Sequence, residues 1–161
     1  MFKNVNNKAL DDLNCSILKE LGENARISNT EIGRRVGLSA PAVADRIQKL
    51  EEQGYIKGYH TIVDFDKIGL TIQAFVSFKS TSLNHKQKIK IVESFPEIVE
   101  WHSVTGNASM ILKVATYTSK QLEDVIGRLM EFGETSTSLI LSARTDLNIL
   151  GRVFKKQRTV A

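Results

Sequence analysis

The chain has 161 residues, a formal net charge of +4 and an apolar fraction that suits globular packing. No apolar run is long enough to span a membrane and no signal peptide is recognisable, so we expect a cytoplasmic protein with no membrane partner. Cys15 is the single cysteine, which excludes an intramolecular disulfide framework and a cysteine-based zinc site.

A first helix is predicted to begin at Asn14, an acceptable N-cap, and to end at Gly22. We expect Cys15 to serve there as a small buried apolar residue. The core stripe of this helix is expected to consist of Ile17, Leu18 and Leu21.

Two further helices joined by a tight turn follow. Ser28, with Glu31 three residues later, forms a capping box that starts one helix, and Gly37 ends it. Ser39 caps the next helix, and Pro41 lies in its first turn, where a missing N–H costs nothing. Helices joined this closely must cross steeply, which is the helix-turn-helix geometry that offers the second helix to a DNA major groove.

The second helix of this pair has one apolar and one polar face. By helical spacing its apolar face is Val43, Ile47 and Leu50. This face is expected to pack against Ile32, Val36 and Leu38. The opposite face is small and polar near its N-terminus, which allows close backbone approach and points the positive end of the helix dipole at phosphates.

The expected contacts with double-stranded DNA fall into groups. The residues expected nearest the bases are Ala40, Pro41, Ala42, Asp45 and Gln48. Phosphate contacts are expected from Arg34, Arg35, Lys49 and Lys57. The helix caps Ser28 and Ser39 complete the candidate interface, together with Arg46, which contributes either a phosphate bond or the packing of the helix pair.

Net charge alone does not point to DNA. Residues 1–67 carry ten basic and ten acidic side chains, and residues 68–161 carry twelve and eight. Much of the excess lies in residues 152–158, either a solvated end or an auxiliary phosphate contact. A local cluster of arginines and lysines can still follow phosphates, although the same helices could instead bind a protein partner.

The chain changes its pattern after the three helices. Residues 55–63 are expected to be extended, with a bend at Gly58, either as a wing or as a strand leading out of the domain. We predict a winged helix-turn-helix domain over 1–63, a hinge over 64–71, a second domain over 72–145 and a C-terminal tail over 146–161.

The second domain reads as βαββαβ. Strands are predicted over 71–79, 98–105, 109–116 and 137–142, and helices over 86–95 and 119–132. This order is typical of a ferredoxin-like unit, with two helices on one side of an antiparallel sheet. The fold class is therefore α+β, with an N-terminal three-helix winged helix-turn-helix domain and a C-terminal ferredoxin-like domain.

Both faces of this sheet are apolar enough to require cover. The helices are expected to cover Ile72, Ala74, Val76, Met110, Leu112, Val114, Leu139 and Leu141. The opposite face is expected to include Gln73, Phe75, Ile111 and Ile140, with Trp101 or its neighbours. Because this second face would otherwise be wet, a homodimer is predicted in which each subunit contributes one layer. Its two recognition helices would meet half-sites one helical turn, or a multiple of it, apart.

Several motifs in order resemble the leucine-responsive regulator/asparagine-operon regulator family, Lrp/AsnC, over residues 9–145. They are Leu10-Asp11, Ile17-Leu18, Ala25-Arg26-Ile27-Ser28, Val36-Gly37-Leu38-Ser39, Arg46-Ile47-Gln48-Lys49-Leu50-Glu51, Gly54-Tyr55-Ile56-Lys57-Gly58-Tyr59, and Pro96-Glu97-Ile98-Val99-Glu100 ahead of Gly106. The resemblance implies a DNA-binding transcriptional regulator with an amino-acid-sensing second domain. It also implies dimers that often assemble further, into tetramers or octamers.

The resemblance also implies an effector site, in which this sequence departs from the family's pattern at one position. The run Gly106-Asn107-Ala108-Ser109 resembles the family's Gly-x-x-Asp turn, with Ser109 in place of the acid. An acid would bind an effector's ammonium by a charge-assisted bond, and a serine offers a weaker neutral one. We expect the effector to contact Val104, Thr105, Gly106, Asn107, Ala108 and Ser109, against Ser136, Thr137 and Ser138 of a neighbouring subunit. Alternatively, Gly106 only permits a tight turn, and the protein is an architectural DNA-binding regulator without an effector.

Other function classes have less support from the residues. An RNA-binding βαββαβ domain would need stacking aromatics that the strand from Ser109 to Val114 lacks. No catalytic residues, metal site or cofactor are predicted, because the three histidines are scattered and no glycine-rich phosphate loop is present. Glu100 and His102 on one strand face are expected to be a solvated pair and not an acid/base dyad.

Overall fold

The computed structural model describes residues 10–143 and Leu150. Predictions for residues 1–9, for the end of the second domain and, Leu150 apart, for the C-terminal tail with its basic run 152–158 lie outside the described residues. The chain divides into two compact units that part between Thr61 and Ile62. Each unit is built around a core of its own.

The N-terminal unit contains three helices, α1 (Asp12–Glu23), α2 (Asn29–Val36) and α3 (Ala40–Glu52). Its fully buried core consists of Ile17, Ile32, Val43 and Leu50. Half-buried apolar side chains that pack around this core include Leu18, Leu21, Val36, Leu38 and Ile47. The predicted packing of the apolar face of α3 against α2 is therefore confirmed.

The signals that delimit α2 and α3 act as predicted, except for one half of the capping box of α2. The Ser28 hydroxyl accepts from the Glu31 backbone N–H at 3.2 Å, and the Ser39 hydroxyl accepts from the Ala42 N–H at 3.4 Å. Gly37 ends α2 with φ of +76°, in the left-handed region that glycine adopts without penalty. The second half of the capping box is absent among the described contacts, because the Glu31 carboxylate binds arginines instead of the Ser28 N–H.

The turn between α2 and α3 depends on a glycine whose role the sequence analysis did not identify. A Cβ on Gly33 would lie 2.4 Å from the carbonyl oxygen of Leu38, a distance that excludes any side chain. The backbone N–H of Leu38 donates to the Gly33 carbonyl at 3.0 Å. This close approach holds the turn tight against α2.

The predicted N-cap of α1 is wrong by three residues, and its predicted end is wrong by one. Asp11 is the N-cap, and its carboxylate accepts from the Asn14 N–H at 2.7 Å. Asn14 lies inside the helix, largely buried, where its side-chain oxygen accepts from Arg46. The helix continues past Gly22 to Glu23. Asn14 was a reasonable cap by residue type, but a contact with α3 takes up its side chain.

The chain between the last N-terminal helix and the sheet has little regular structure. Residues 55–63, all of them described, form no strand, so a paired wing strand is not present there. A single turn of 3-10 helix covers Asp66–Ile68, within the predicted hinge, and ends at Gly69 with φ of +88°. The Asp64 carboxylate accepts from the backbone N–H of Asp66 at 3.1 Å and starts this turn.

The second unit has the predicted βαββαβ order. Its elements are β1 (Ile72–Lys79), α4 (His85–Val92), β2 (Ile98–Ser103), β3 (Met110–Thr116), α5 (Ser119–Met130) and β4 (Glu134–Leu139). The strand order is β2-β3-β1-β4, with every neighbouring pair antiparallel. This is a ferredoxin-like sheet, with β2 and β4 as its two edges.

Two predictions about the helix-covered face of the sheet are corrected. Ala74, Val76, Met110, Leu112 and Val114 are buried beneath the helices, as expected. Leu139 and Leu141 are instead 59% and 94% exposed. The predicted strand was 137–142, but β4 runs from Glu134 to Leu139. Leu139 is therefore its last residue, and Leu141 lies beyond it.

On the open face of the sheet, the structure decides between the two alternatives predicted for β2, Trp101 or its neighbours, in favour of a neighbour. Trp101 pairs with Leu112 and packs against the core beneath the helices, so it is not on the open face. Phe75 and Ile111 occupy the open face, and His102, opposite Ile111, takes the position considered for Trp101. A bulge between Ile98 and Glu100 explains the difference, because it shifts the alternation of β2.

None of the helices among the described residues is long and apolar enough to cross a membrane.

Candidate nucleic-acid interface and effector loop

The outer face of α3 exposes the side chains that were expected nearest the bases. Pro41, Asp45 and Gln48 are exposed, and Ala40 and Ala42 are half-buried at its start. The buried Val43 and Leu50 fix the opposite side of the helix against the core. The helix therefore offers a face with small groups at its N-terminus and hydrogen-bonding groups further along, which suits entry into a major groove.

The polar groups of that face are paired with each other along the helix. Lys49 Nζ lies 2.7 Å from Asp45 Oδ2, and Gln48 Nε2 donates to Glu52 Oε1 at 2.8 Å. Both pairs span four residues and are exposed, so each contributes only a few tenths of a kcal/mol. DNA could displace them at little cost.

The two arginines of α2 are held by acids. The Glu31 carboxylate accepts from Arg34 Nη2 at 2.8 Å and from Arg35 Nε at 2.7 Å. Arg35 also donates to Glu20 on α1 at 2.6 Å. Hydrogen bonds from Arg34 and Arg35 lower the pKa of Glu31 to about 2. Both guanidinium groups therefore have acidic partners that phosphates would have to replace or share.

Arg46 points away from the exposed face of α3 and toward α1. Its Nη1 donates to Asp11 Oδ2 at 2.7 Å and to Asn14 Oδ1 at 2.9 Å. Burial opposes ionisation of Asp11, but the Asn14 N–H and the Arg46 guanidinium outweigh it and lower the pKa of Asp11. Of the two roles considered for Arg46, these contacts favour the packing of the helix pair.

Two basic side chains near the motif are exposed and make no ion pair within the part of the chain that the structure describes. They are Arg26, before α2, and Lys57, after α3. Close to Lys57, the Tyr59 hydroxyl donates to Glu51 Oε1 at 2.8 Å, which ties the segment after α3 back to that helix. Burial and the Glu51 carboxylate raise the pKa of Tyr59 to about 12.

The predicted effector loop is the turn between β2 and β3. The Val104 N–H donates to the Ser109 carbonyl at 3.1 Å and closes the turn. Gly106 has φ of +112° and nothing within 4 Å of the position of a Cβ, so the glycine serves the backbone and not a close contact. Thr105, Gly106 and Asn107 are exposed, and Ala108 and Ser109 are half-buried.

The Ser109 side chain is engaged inside the subunit. Its hydroxyl oxygen accepts from Lys88 Nζ, on α4, at 3.2 Å and from the Ser80 backbone N–H at 3.4 Å. The Ser109 N–H donates to the Phe78 carbonyl at 2.9 Å, which fixes the residue beside the end of β1. Sequence reasoning did not identify Lys88, since only tertiary packing brings it near the loop.

The two halves of the predicted effector site are not brought together within one subunit. Ser136, Thr137 and Ser138 lie on β4, while the effector loop starts from β2. These strands are opposite edges of the sheet, roughly 14 Å apart at the usual strand spacing. A ligand that touches both segments would therefore need a second copy of the chain, as the prediction required.

The residues considered for other chemistry are also visible. His102 Nε2 lies 2.7 Å from Glu100 Oε1, and both side chains are more than half exposed, as expected for a solvated pair. Residues 10–143 contain no group of three or more His, Cys, Asp or Glu side chains placed to hold a metal ion.

Sequence reasoning missed the three acidic residues that bind the predicted arginines. Glu31 was read only as part of a capping box, although its spacing of three and four residues from Arg34 and Arg35 is a readable signal for ion pairs. Glu20 and Asp11 contact their arginines across fifteen and thirty-five residues, and nothing in the sequence marks those contacts.

Comparisons with known families match both units separately. Residues 10–57 match a family model described as winged helix-turn-helix DNA-binding, and residues 73–148 match one described as the Lrp/AsnC ligand binding domain.

Individual proteins agree with these matches. The chain is 35% identical to the uncharacterized HTH-type transcriptional regulator YezC of Bacillus subtilis, over 83% of this chain and 95% of that protein. The structure of LrpC from Bacillus subtilis aligns with a TM-score of 0.79 at 29% identity, covering 84% of this chain and 97% of that one. A Neisseria meningitidis transcriptional regulator in complex with L-Met aligns with a TM-score of 0.79 at 23% identity, covering 85% and 93%.

Proposed function

The chain belongs to the Lrp/AsnC family of DNA-binding transcriptional regulators, and we propose that its occupancy of DNA is set by an amino acid or a related small metabolite bound between subunits. The observation that carries this proposal is that one chain combines a DNA-binding fold, in which a buried core holds α2 and the exposed α3 together, with a ligand-binding fold. The DNA-binding domain recognises DNA, and the ligand-binding domain makes that recognition depend on a metabolite.

On DNA, α3 enters the major groove by its N-terminal half. The exposed Asp45 and Gln48 are the side chains of α3 best suited to base edges, and Pro41 allows close approach of the backbone. Arg34, Arg35, Lys49 and Lys57 bind phosphates, and the caps Ser28 and Ser39 lie at the helix ends nearest the backbone of the duplex. Arg34, Arg35 and Lys49 exchange an internal acid for a phosphate, whereas Lys57 has no acidic partner to leave among the described residues.

The working unit is a homodimer formed through the open face of the sheet. Phe75 is 46% exposed there, and Ile111 and Phe75 together give this face an apolar centre. Lys113 beside them has its ammonium 5.6 Å from the centre of the Phe65 ring, so the subunit covers part of the face itself. A second sheet would cover the rest. Tetramers or octamers of this dimer are a further step of the same proposal.

The effector binds to the loop from Val104 to Ser109, with Ser136, Thr137 and Ser138 contributed by a neighbouring subunit. The separation of these segments on one sheet supports a site shared between copies. The L-Met complex of the Neisseria meningitidis regulator supplies an example of an amino acid bound to a protein of this fold. Residues 64–71 act as the hinge between the two domains, and an effector that binds two assemblies unequally shifts the spacing of the recognition helices.

A second candidate function keeps the DNA binding and omits the effector. Ser109 favours it, because no carboxylate is present at this position to hold an ammonium, and the hydroxyl is already engaged by Lys88 and Ser80. In that case the protein is an architectural regulator that coats or bends DNA. Both candidates place the protein in the cytoplasm with the DNA, and neither requires catalysis.

The experiment is a DNA-binding titration of the full chain, monitored by fluorescence anisotropy at several salt concentrations, with and without each of the twenty amino acids and the small carboxylic acids related to them. We expect the affinity for DNA to fall steeply with salt and at least one of these compounds to change it. Gln48→Ala should reduce discrimination between random DNA and DNA fragments selected by the chain's own binding, whereas Lys57→Ala should weaken binding to both equally. A DNA affinity that none of these compounds changes would favour the architectural regulator, and the absence of a salt-dependent affinity for DNA would reject both candidates.

A further inference from the structure

The clearest unexplained feature outside the DNA-binding helix is the environment of Lys88. This residue lies in the first half of α4 with a half-buried side chain. Among residues 10–143, its ammonium has one hydrogen-bond partner, the neutral hydroxyl of Ser109, and no carboxylate within ion-pair distance. Most other lysines whose contacts are described pair with acids, as Lys79, Lys49 and Lys120 do. Lys88 is thus a partly desolvated cation without a counter-charge.

The groups around Lys88 have hydrogen-bond donors to spare. An ammonium has three N–H donors, and Ser109 takes one of them. Ser109 accepts in both of its side-chain bonds, from Lys88 and from the Ser80 N–H, so its own proton is still available for donation. The Ser80 and Ser82 hydroxyls lie 3.4 Å apart beside them. Among the described residues, acceptors are therefore lacking for two N–H groups of Lys88, the O–H group of Ser109 and one O–H group of the Ser80–Ser82 pair, in a site of net charge +1.

The other polar contacts of this corner add no negative charge. His85, one turn before Lys88, has its Nδ1 3.5 Å from the Ser103 hydroxyl at the end of β2. Asn84 and Gln87 satisfy each other as a complete capping box at the start of α4. No acid makes a described contact with Ser80, Lys88 or Ser109, so a negative group would have to come from a ligand.

We infer that Lys88, Ser80 and Ser109 form an anion subsite that receives the carboxylate of a small 2-oxo acid in preference to an amino acid. The inference rests on the proposed effector function and deepens it. A carboxylate bound to Lys88 accepts two or three charge-assisted or hydroxyl hydrogen bonds. An ammonium on the neighbouring carbon would then lie close to the Lys88 ammonium with no acid nearby, and this repulsion is absent from a 2-oxo acid. Ser109 thereby sets the chemical class of the ligand.

The test is a calorimetric titration of the full chain with matched probes: the L-amino acids, the 2-oxo acid of each carbon skeleton, and the corresponding amines without a carboxylate. In the wild type, at least one 2-oxo acid should bind about tenfold or more tightly than its amino acid, and the amines should not bind. Lys88→Met keeps the apolar stem and should weaken that 2-oxo acid at least tenfold. Lys90→Met, an exposed lysine on the same helix, should change nothing.

Ser109→Asp reverses the expected preference. The introduced carboxylate pairs with Lys88 and provides an acceptor for an ammonium, so 2-oxo acids should bind at least tenfold more weakly and the amino acid should gain. Thermal unfolding of each variant separates loss of the subsite from loss of the fold.

The two proposals fail in different ways. Amino acids that bind more tightly than their 2-oxo acids, or a 2-oxo acid whose affinity Lys88→Met does not change, would overturn this inference and leave the effector proposal standing. No binding by any probe would reject both.

Discussion

Arg46 is a basic residue on the recognition helix whose contacts hold two helices together instead of facing DNA. Its guanidinium joins α3 to the N-cap of α1 by bonds of 2.7 and 2.9 Å. The side chain is 27% exposed, and Asp11 is 45% exposed, so solvent screens much of the ion pair. The hydrogen bond to Asn14 is less screened, because Asn14 is largely buried.

We predict that Arg46→Met lowers the free energy of unfolding by about 1–2 kcal/mol, and lowers DNA affinity because α3 loses its attachment to α1. Urea unfolding followed by circular dichroism measures the first effect. Lys49→Met is the matched control, since its exposed pair with Asp45 should be worth less than about 0.5 kcal/mol. Equal stability of Arg46→Met and wild type, with reduced DNA affinity, would instead assign Arg46 to a phosphate.

Glu31 should make stability depend on acid pH. Its pKa is lowered from an ordinary 4.5 to about 2 by Arg34 and Arg35, so the unfolded chain binds its proton more readily than the folded chain does. The stabilisation is therefore complete above pH 4.5 and is lost as pH falls toward 2. Glu31→Gln should reduce the decline of the unfolding free energy over this range, whereas Glu23→Gln should leave it close to wild type. Parallel profiles for wild type and Glu31→Gln would contradict the arginine contacts.

The ends of α2 and α3 were predictable from the sequence, because the residues that fix them lie at those ends. Ser28, Gly37 and Ser39 act on backbone groups within three or four residues, so their effect can be read from a short segment. The start of α1 was not readable in this way. Asp11 and Asn14 are both good caps by type, and the choice between them depends on Arg46, thirty-two residues beyond Asn14.

The sheet shows the same division between local and distant causes. Alternation in β1 and β3 placed Ala74, Val76 and Leu112 correctly, because both strands are central and each has a helix-covered face. At β2 a bulge changed the alternation, and at β4 the strand ended before Leu141. Pairing with the neighbouring strand sets both the bulge in β2 and the end of β4. The residue pattern of a single strand carries no information about that pairing.

The cap of α3 provides a test at the level of one element. Ser39→Ala removes the side-chain bond to the Ala42 N–H and should cost about 1 kcal/mol of stability. It should also weaken DNA binding, because the first turn of α3 carries the groups that approach the bases. Ser16→Ala is the control, since that exposed hydroxyl only bonds to a carbonyl within α1. If the two variants are equally stable, the cap has no energetic role.

At the scale of the whole molecule, the sequence predicted the fold of each unit and the family, but not the internal partners of the site. The helix-turn-helix and the βαββαβ order follow from periodicity and turn residues, which repeat along the chain. The contacts of Ser109 with Lys88 and Ser80 join residues twenty-one and twenty-nine positions apart, and they exist only once the sheet and α4 have packed. Sequence reasoning therefore placed the effector loop on a turn without revealing the cation beside it.

The open sheet face makes assembly testable. Phe75→Lys introduces a charge at the apolar centre of the proposed interface and should convert the dimer into monomers, as measured by sedimentation equilibrium. Met130→Lys, which changes a still more exposed apolar side chain at the end of α5, should leave at least a dimer. A dimer that survives Phe75→Lys unchanged would place the interface elsewhere.

The central claim is that paired subunits hold two copies of α3 in register with the major groove of one duplex. Hydroxyl-radical footprinting of the full chain on DNA fragments selected by its own binding tests this most directly. We predict two protected clusters related by a dyad and separated by about one helical turn, roughly 10 base pairs, or a multiple of it. Protection without such spacing, or none above that of random DNA, would contradict the account.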